Sequence, residues 1–207
     1  MTYLRATLLI NFLPTLHLLS VLALWRTPAL ALLTLYLVPP LLARLVMAVF
    51  GKPVGLFPVQ SRSFLVWWSL ASLQSIFLRL PFLEELLRMV PTLYSNWLRL
   101  WGSRIGKNVY WAPGTVVVDR SYLDIGHQAV MGLSCSFNPH YISHEQLTLA
   151  PVTVGDNSQV GGQSVLMSGC EVGPNEYSLA TLRMRPFSRF VEGKLWRGPR
   201  VSDDQEG

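Results

Sequence analysis

The sequence predicts an apolar, α-helical front part attached to a membrane and a rear domain of short, stacked β-strands. Half of the 207 residues are hydrophobic and 14% are charged, whereas an ordinary soluble domain has roughly 25% charged residues. The first 83 residues contain no Asp or Glu, and all twelve acidic residues lie from Glu84 onward. From residue 105, aliphatic residues and glycines recur at intervals of six. These three observations divide the chain near Gly102.

Two apolar runs at the amino terminus predict a transmembrane helical hairpin over residues 1–52. Residues 6–25 are twenty uncharged residues in a row, about the length that crosses the hydrocarbon core of a bilayer. The second run, residues 28–50, contains a Pro-Pro pair at which a kink is expected. A cleaved signal peptide is the alternative. Its apolar region would be about 7 to 15 residues long with small residues at its end, whereas the first run ends in a Trp-Arg pair.

The distribution of basic residues predicts the side of the membrane that the rear domain occupies. Arg26 is the only charged residue in the turn of the hairpin, whereas Arg5, Arg44, Lys52 and Arg62 lie in its flanks. Because cytoplasmic flanks carry the excess of Lys and Arg, we expect both ends of the hairpin, and the domain that follows, on the cytoplasmic side. In a bacterium this membrane would be the inner, cytoplasmic membrane.

Residues 53–102 are predicted to form amphipathic helices that lie in the membrane interface. The segment 63–78 is sixteen uncharged residues with a Trp pair, and indole rings favour the headgroup level. The segment 81–101 has apolar residues at helical spacing and is interrupted by Pro91. A third span over 63–78 is the alternative, and it would move the rear domain to the opposite side of the membrane.

Nine six-residue steps form the repeating unit of the rear domain, residues 103–182. They read IGKNVY, WAPGTV, VVDRSY, IGHQAV and MGLSCS and, after a loop with two histidines, VGDNSQ, VGGQSV, LMSGCE and VGPNEY. Most steps open on an aliphatic residue, and Gly follows it in six of the nine. The pattern is typical of a triangular coil in which the first side chain of each short strand fills the interior and Gly relieves crowding at a corner. A generic Gly-rich β protein is the alternative. Residues 183–207 are predicted to be a basic C-terminal tail.

Residues 103–200 resemble the hexapeptide-repeat acyltransferases, and the stretch 143–175 carries most of the resemblance. The resemblance implies a left-handed parallel β-helix, a homotrimer, and acyl-CoA as co-substrate in the groove between adjacent β-helices, with acetyl-CoA the first expectation. In that family a loop leaves the coil, presents a His and returns through a strand like PVTVGD, residues 151–156. The His is the general base for the hydroxyl or amine that attacks the thioester.

The same resemblance implies the catalytic residues. The run Ser143-His144-Glu145 corresponds to the family's run before the returning strand, so His144 is the expected base and His140 is the alternative. Glu145 would orient the imidazole or would face water.

Contacts to the two substrates also follow from the resemblance. Asn138 and Tyr141 would contact the acceptor, with ordinary turn and packing roles as the alternative. Gly162 and Ser164 would contact the pantetheine arm, because a small residue allows close approach. Lys194, Arg197 and Arg200 would bind the phosphates of coenzyme A, or would face anionic lipid.

Metal binding is the rival explanation for the histidines. The coil also resembles that of the gamma-class carbonic anhydrases, which bind zinc through three His across a trimer interface. His127, His140 and His144 match that number but not that spacing, so no metal is expected. Cys135 and Cys170 form no metal motif and are expected to be reduced and packed.

Together these expectations describe a membrane-anchored acyltransferase that moves an acyl group, acetyl first, from acyl-CoA to a hydroxyl or amine of a lipid-linked or lipophilic acceptor. Membrane lipids and further copies of the chain are the expected partners. The net charge of +5 is explained by apposition to a membrane. Nucleic acid is not expected, because aromatic residues do not interleave with the charges. A non-catalytic scaffold at the membrane is the alternative from another functional class.

Overall fold

The computed structural model describes residues 3–198, which form an apolar hairpin, a middle layer of helices and a stack of β-strands. The helices are α1 (Tyr3–Asn11), α2 (Leu13–Ala23), α3 (Pro28–Phe50), α4 (Arg62–Arg79), α5 (Phe82–Arg88) and α6 (Pro91–Leu100). The hairpin packs against α4, and α4 in turn contacts the strand domain through Trp67 and Gln74.

The hairpin contains two helical segments that are long and apolar enough to cross a membrane, Ala6–Ala23 and Pro28–Phe50. The first is interrupted at Phe12, between α1 and α2. The turn between the two segments is tight, since the amide of Thr27 donates to the carbonyl of Leu24 at 2.8 Å. The prediction of two such apolar helices is therefore confirmed, whereas the side of the membrane stays a prediction.

Helix α4 lies between the hairpin and the strands. Its first turn is capped by Ser61, whose hydroxyl oxygen accepts from the amide of Phe64 at 3.1 Å. Buried residues point to both neighbouring layers: Val66, Trp67, Leu70, Ser72, Leu73, Gln74, Ile76 and Phe77. The chain then bends by 84° into α5. Helices α4 and α5 could form a third membrane span only if they crossed the membrane together as one bent unit.

Most of the remaining chain forms short strands. They are β1 (Gly55–Pro58), β2 (Arg104–Ile105), β3 (Tyr110–Trp111), β4 (Val116–Val117), β5 (Leu123–Ile125), β6 (Val130–Met131), β7 (Ser136–Asn138), β8 (His140–Ser143), β9 (Gln146–Leu149), β10 (Val152–Val154), β11 (Gln159–Val160), β12 (Val165–Met167), β13 (Glu171–Val172), β14 (Arg183–Met184), β15 (Arg189–Val191) and β16 (Lys194–Trp196).

Three sheets with parallel pairing organise the strand domain. Their orders are β16-β15-β13-β10-β5-β2, β11-β6-β3 and β14-β12-β7-β4, and only β15 and β16 pair antiparallel. The chain visits the three sheets in rotation, since β2, β3 and β4 lie in different sheets and β5, β6 and β7 return to them in the same order. The described part of the predicted C-terminal tail continues this arrangement, because β14 pairs with β12 and β15 pairs with β13.

The first residue of each six-residue step lies in the core. All nine are at most 8% exposed: Ile105, Trp111, Val117, Ile125, Met131, Val154, Val160, Leu166 and Val172. The glycines at second positions are required by close approach of the next coil. A Cβ at Gly126 would lie 2.4 Å from Oδ1 of Asp156, and one at Gly161 would lie 2.3 Å from the carbonyl carbon of Leu179.

The loop with the two histidines is a β-hairpin. Strands β8 and β9 pair antiparallel, with His140 opposite Leu149, and β1 adds a third antiparallel strand beside β9. Strand β1, in the segment between α3 and α4, thereby attaches that segment to the loop with the two histidines. His140 begins β8 one residue after buried Pro139, so both the coil and the β-hairpin fix its backbone.

Candidate active site

A histidine and an aspartate form a pair where the strand domain meets α4. Nδ1 of His140 lies 2.5 Å from Oδ2 of Asp119. Asp119 follows β4, and its side chain is 2% exposed, whereas the imidazole is 24% exposed. An ionised carboxylate only accepts hydrogen bonds, so the proton between the two groups belongs to Nδ1 in the neutral imidazole. Nε2 then carries a free lone pair, as a general base requires.

Helix α4 holds the carboxylate of Asp119 from the other side. The indole Nε1 of Trp67 donates to Oδ1 at 2.9 Å, and the amide nitrogen of Gln74 lies at 3.5 Å. The indole ring also packs against the imidazole, with ring centroids 4.6 Å apart. Because Oδ1 and Oδ2 have separate partners, the carboxylate is fixed, and through Nδ1 it fixes the tautomer of His140.

A buried ion network adjoins the pair. The carbonyl oxygen of Gln74 accepts from the backbone amide of Arg120 at 3.0 Å. The guanidinium of Arg120, 1% exposed, forms an ion pair with Glu84. Glu84 also accepts from Arg88 at 2.7 Å and from the hydroxyl of Tyr94 at 2.9 Å. Burial, followed by the charge of Glu84, raises the pKa of Tyr94, so its hydroxyl stays protonated and remains a donor.

The imidazole of His140 borders a cavity of about 410 Å³. The strand domain contributes Val118, Asp119 and His140 to its wall. The remaining wall comes from α4 and from the interruption of the hairpin: Asn11, Pro14, Trp67, Trp68, Ala71, Ser72, Gln74, Ser75, Leu78 and Arg79. Trp68 closes part of the boundary by donating from Nε1 to the side-chain oxygen of Asn11 at 2.8 Å. A group that enters this cavity meets the imidazole on one side and α4 with the apolar hairpin on the other.

Replacing Trp67 by Phe should lower the free energy of unfolding by about 1.5–3 kcal/mol, because a buried hydrogen bond to a charged acceptor is lost. Urea unfolding in detergent measures the change. The matched control is Trp68→Phe, which removes a partly exposed bond to a neutral amide and should cost about 1 kcal/mol or less. Equal losses in the two variants would contradict the role assigned to the Trp67 N–H group.

The expected base, His144, lies elsewhere. His144 and Glu145 form the two-residue turn between β8 and β9, with φ angles of 47° and 57°, and both are exposed. Neither side chain has a hydrogen bond or ion pair within residues 3–198. The structure therefore separates the two candidate histidines, with His140 at the cavity and His144 at the tip of the β-hairpin.

The expected contacts to the acceptor and the pantetheine arm are dispersed. Asn138 donates to the hydroxyl of Ser136 at 3.0 Å, and Tyr141 is half-buried in β8. Ser164 is fully buried, and its hydroxyl donates to the carbonyl of Gly161 at 2.6 Å. Gly162 lies at a corner of the coil, where its Cβ position is 3.2 Å from the carbonyl oxygen of Leu133.

A basic cleft of about 420 Å³ lies on the outer face of the sheet that contains β12 and β14. Its walls are formed by Val165, Met167, Arg183, Met184, Arg185, Pro186 and Arg197. Arg197 was expected from the sequence to contact coenzyme A. Lys194 is exposed in β16 and is not in the wall of this cleft, and Arg200 lies outside the described residues.

The other histidine and cysteine side chains are distributed through the strand domain. His127 is exposed and accepts from the amide of Lys107 at 3.1 Å through Nδ1. Cys135 and Cys170 are buried and unpaired. Burial raises the pKa of both thiols, that of Cys170 to about 11. Among residues 3–198, no group of three or more His, Cys, Asp or Glu is placed to hold a metal ion.

Sequence reasoning missed Asp119, Trp67 and Gln74. A signal for Asp119 exists, because VVDRSY is the one step of the nine with two charged residues at its third and fourth positions. Nothing in the local sequence connects Trp67 or Gln74 to Asp119, which lies 52 and 45 positions away.

Comparisons with known proteins add little. No protein-family model and no curated protein matches the chain. A solved structure of serine acetyltransferase isoform 3 from Entamoeba histolytica, in complex with cysteine, is 11% identical and aligns over 97% of this chain and 74% of that chain with a TM-score of 0.22. A likeness at that TM-score carries no argument about the activity of this chain.

Proposed function

We propose that this protein is a membrane-associated acyltransferase with His140 as its general base. The observation that carries the proposal is the His140–Asp119 pair, whose free imidazole edge borders a cavity walled by the membrane hairpin. The base expected first from the sequence was His144. We assign the role to His140 because it has both a cavity and an orienting carboxylate.

The proposed reaction needs one base and no covalent enzyme intermediate. Nε2 of His140 takes the proton of the acceptor hydroxyl or amine as that atom attacks the thioester carbonyl of acyl-CoA. The tetrahedral intermediate then expels the coenzyme A thiolate, which takes the proton back from the imidazolium. Asp119 stabilises the imidazolium between these two steps, because its buried carboxylate faces Nδ1. The products are the acylated acceptor and free coenzyme A.

The outer face of one sheet supports a binding path for acyl-CoA. Asn138 pairs with Met167, and Val165 pairs with Arg183 in the next strand. The face runs over three strand steps, or about 14 Å, from Val118 at the catalytic cavity to the basic cleft. We propose that the phosphates of coenzyme A bind Arg183, Arg185 and Arg197 there and that the pantetheine arm follows the face toward His140.

The cavity wall supports a lipophilic acceptor. Pro14 and Asn11 belong to the first apolar segment, and Leu78 lies beside them on α4. A water-soluble acceptor would not need a site bounded by a membrane hairpin. We therefore propose that a hydroxyl or amine of a membrane lipid, or of a lipid-linked molecule, enters the cavity.

The proposed assembly is a homotrimer of closed, left-handed β-helices on the cytoplasmic side of the membrane. Residues in the left-handed backbone region recur once per coil at one corner, at Asn108, Gln128, Asn157 and Asn175. At another corner, Leu133 and Leu179 are 56% and 87% exposed. An exposed apolar corner of this kind supports contact between copies of the chain.

Transfer of radiolabelled acetyl from acetyl-CoA tests the proposed function. The full-length protein in phospholipid nanodiscs is supplied with a total membrane lipid extract, and we expect label in the lipid fraction together with an equal amount of free coenzyme A thiol. Faster labelling of small hydrophilic alcohols or amines without lipid would overturn the lipophilic acceptor. No release of coenzyme A with any acceptor would overturn acyl transfer and favour the scaffold.

A further inference from the structure

The hairpin packs side-on against the rest of the protein rather than end-on. Tyr36 in α3 donates from its hydroxyl to the carbonyl of Leu83 at 2.9 Å, and its own carbonyl accepts from Trp97 at 2.8 Å. Further along the same helix, Arg44 bonds to the carbonyl of Leu100 at 3.2 Å. Helix α3 is therefore attached to the middle layer over much of its length.

This attachment brings charged groups of the strand domain level with the middle of α3. Tyr36 is 14 residues from Phe50, or about 21 Å along the helix axis. Its ring centroid lies 5.8 Å from that of Phe77, and the Phe77 ring is 5.7 Å from the guanidinium carbon of Arg120. A helix that crossed a hydrocarbon core of about 30 Å, with Phe50 at one surface, would carry Tyr36 about two-thirds of the way across, and Arg120 is separated from Tyr36 by a single aromatic ring.

A perpendicular hairpin would also draw exposed polar structure into hydrocarbon. Arg44 bonds to the backbone of Arg99, and Arg99 donates to the carbonyl of Ile105 in β2 at 2.9 Å. Beside Ile105, the Arg104–Asp124 ion pair has an arginine side chain that is 82% exposed. Lipid-exposed charges and open sheet edges are excluded from the hydrocarbon region of membranes.

The outer surface of the hairpin is nevertheless apolar. On α3, Leu30, Leu33, Leu41, Leu45 and Val49 are each about half exposed or more. The surface continues beyond the hairpin onto α5, where Phe82 and Leu86 are exposed while Glu84 and Arg88 turn inward to Arg120 and Tyr94. Charges that face inward beside apolar residues that face outward are the arrangement of a surface in contact with lipid chains.

We infer that the hairpin lies along one leaflet of the bilayer instead of crossing it. The partner of its apolar outer surface is then the acyl-chain layer of that single leaflet, and the turn at residues 24–27 stays on the same side as the strand domain. Both apolar segments are long enough to span a membrane, but the side-on contacts of α3 favour the in-plane arrangement. The inference does not rest on acyl transfer.

Depth measurements at two matched positions test this inference. Leu30 and Leu41 are 49% and 55% exposed, and they lie on the same face of α3 about 16 Å apart along its axis. Because the native thiols Cys135 and Cys170 are fully buried, a fluorophore attaches selectively to Leu30→Cys or Leu41→Cys in the full-length protein. Quenching by lipids spin-labelled at defined depths should place both probes at the same depth, within about 4 Å. A depth difference near 16 Å would overturn the inference.

The sidedness of the turn provides a second measurement. Thr27→Cys is compared with Trp196→Cys, a 62% exposed position in the strand domain, in sealed vesicles treated with a membrane-impermeant maleimide. We expect the two positions to react from the same side. Reaction of Thr27→Cys only from the side opposite to Trp196→Cys would establish a transmembrane hairpin and overturn the inference, while leaving the proposed acyl transfer untouched.

Discussion

Replacing His140 by Ala is expected to slow acyl transfer by about 10²- to 10⁴-fold, the usual contribution of a positioned general base. The variant loses the only imidazole that borders the cavity of about 410 Å³ within the described part of the chain. Release of coenzyme A thiol, followed with purified protein in nanodiscs and a lipid extract, measures the rate. Thermal unfolding in the same nanodiscs shows whether the variant keeps its fold.

The matched control is His144→Ala, only four residues away in the same β-hairpin. His144 is exposed in the turn, so its loss should change the rate by less than about two-fold. A large loss with His144→Ala and little change with His140→Ala would reverse the assignment and restore the base expected first from the sequence. No change in either variant would support the scaffold.

Replacing Glu84 by Ala is expected to destabilise the protein by about 3–5 kcal/mol, because removal of one member of a buried ion pair leaves the other charge uncompensated. The carboxylate holds Arg120 and Arg88, whose side chains are 1% and 4% exposed. It also accepts from Tyr94 at 2.9 Å. Urea unfolding in detergent measures the change in the free energy of unfolding.

Glu171→Ala serves as the control for that loss. Glu171 pairs with Arg189 through side chains that are 41% and 59% exposed, and an exposed ion pair contributes about 0–1 kcal/mol. If Glu84→Ala were no more destabilising than Glu171→Ala, the network around Arg120 would not hold the helices to the strand domain in the way described above.

The parts of the fold that repeat in the sequence were predictable. The residues that open the nine steps lie in the core because one buried side chain per short strand is a local, periodic property. The two apolar helices could likewise be identified from length and hydropathy. The resemblance also indicated a loop between the coils, and that loop is the β8–β9 hairpin.

The site was less predictable, because its contacts join distant segments. Asp119 meets Trp67 and Gln74 of α4 only when the middle layer packs on the coil, and no local pattern encodes that packing. The burial of α4 was also unexpected. Its sixteen uncharged residues resemble an interfacial helix because a helix buried on two sides and a helix facing lipid have similar compositions. The resemblance of the run around His144 to a family motif indicated the turn between β8 and β9, whereas the cavity lies at the other end of β8, beside His140.

One side-chain amide, that of Gln74, joins the middle layer of helices to the carboxylate of Asp119. The carbonyl end of Gln74 accepts from the main chain and guanidinium of Arg120, while its NH₂ end faces Asp119. The two ends are not interchangeable, because a flipped amide would place donor against donor at Arg120 and oxygen against oxygen at Asp119. The amide therefore has a single allowed polarity. The Gln74 side chain therefore constrains two things at once. It constrains the rotation of α4 about its own axis, and it constrains the orientation of the Asp119 carboxylate toward His140.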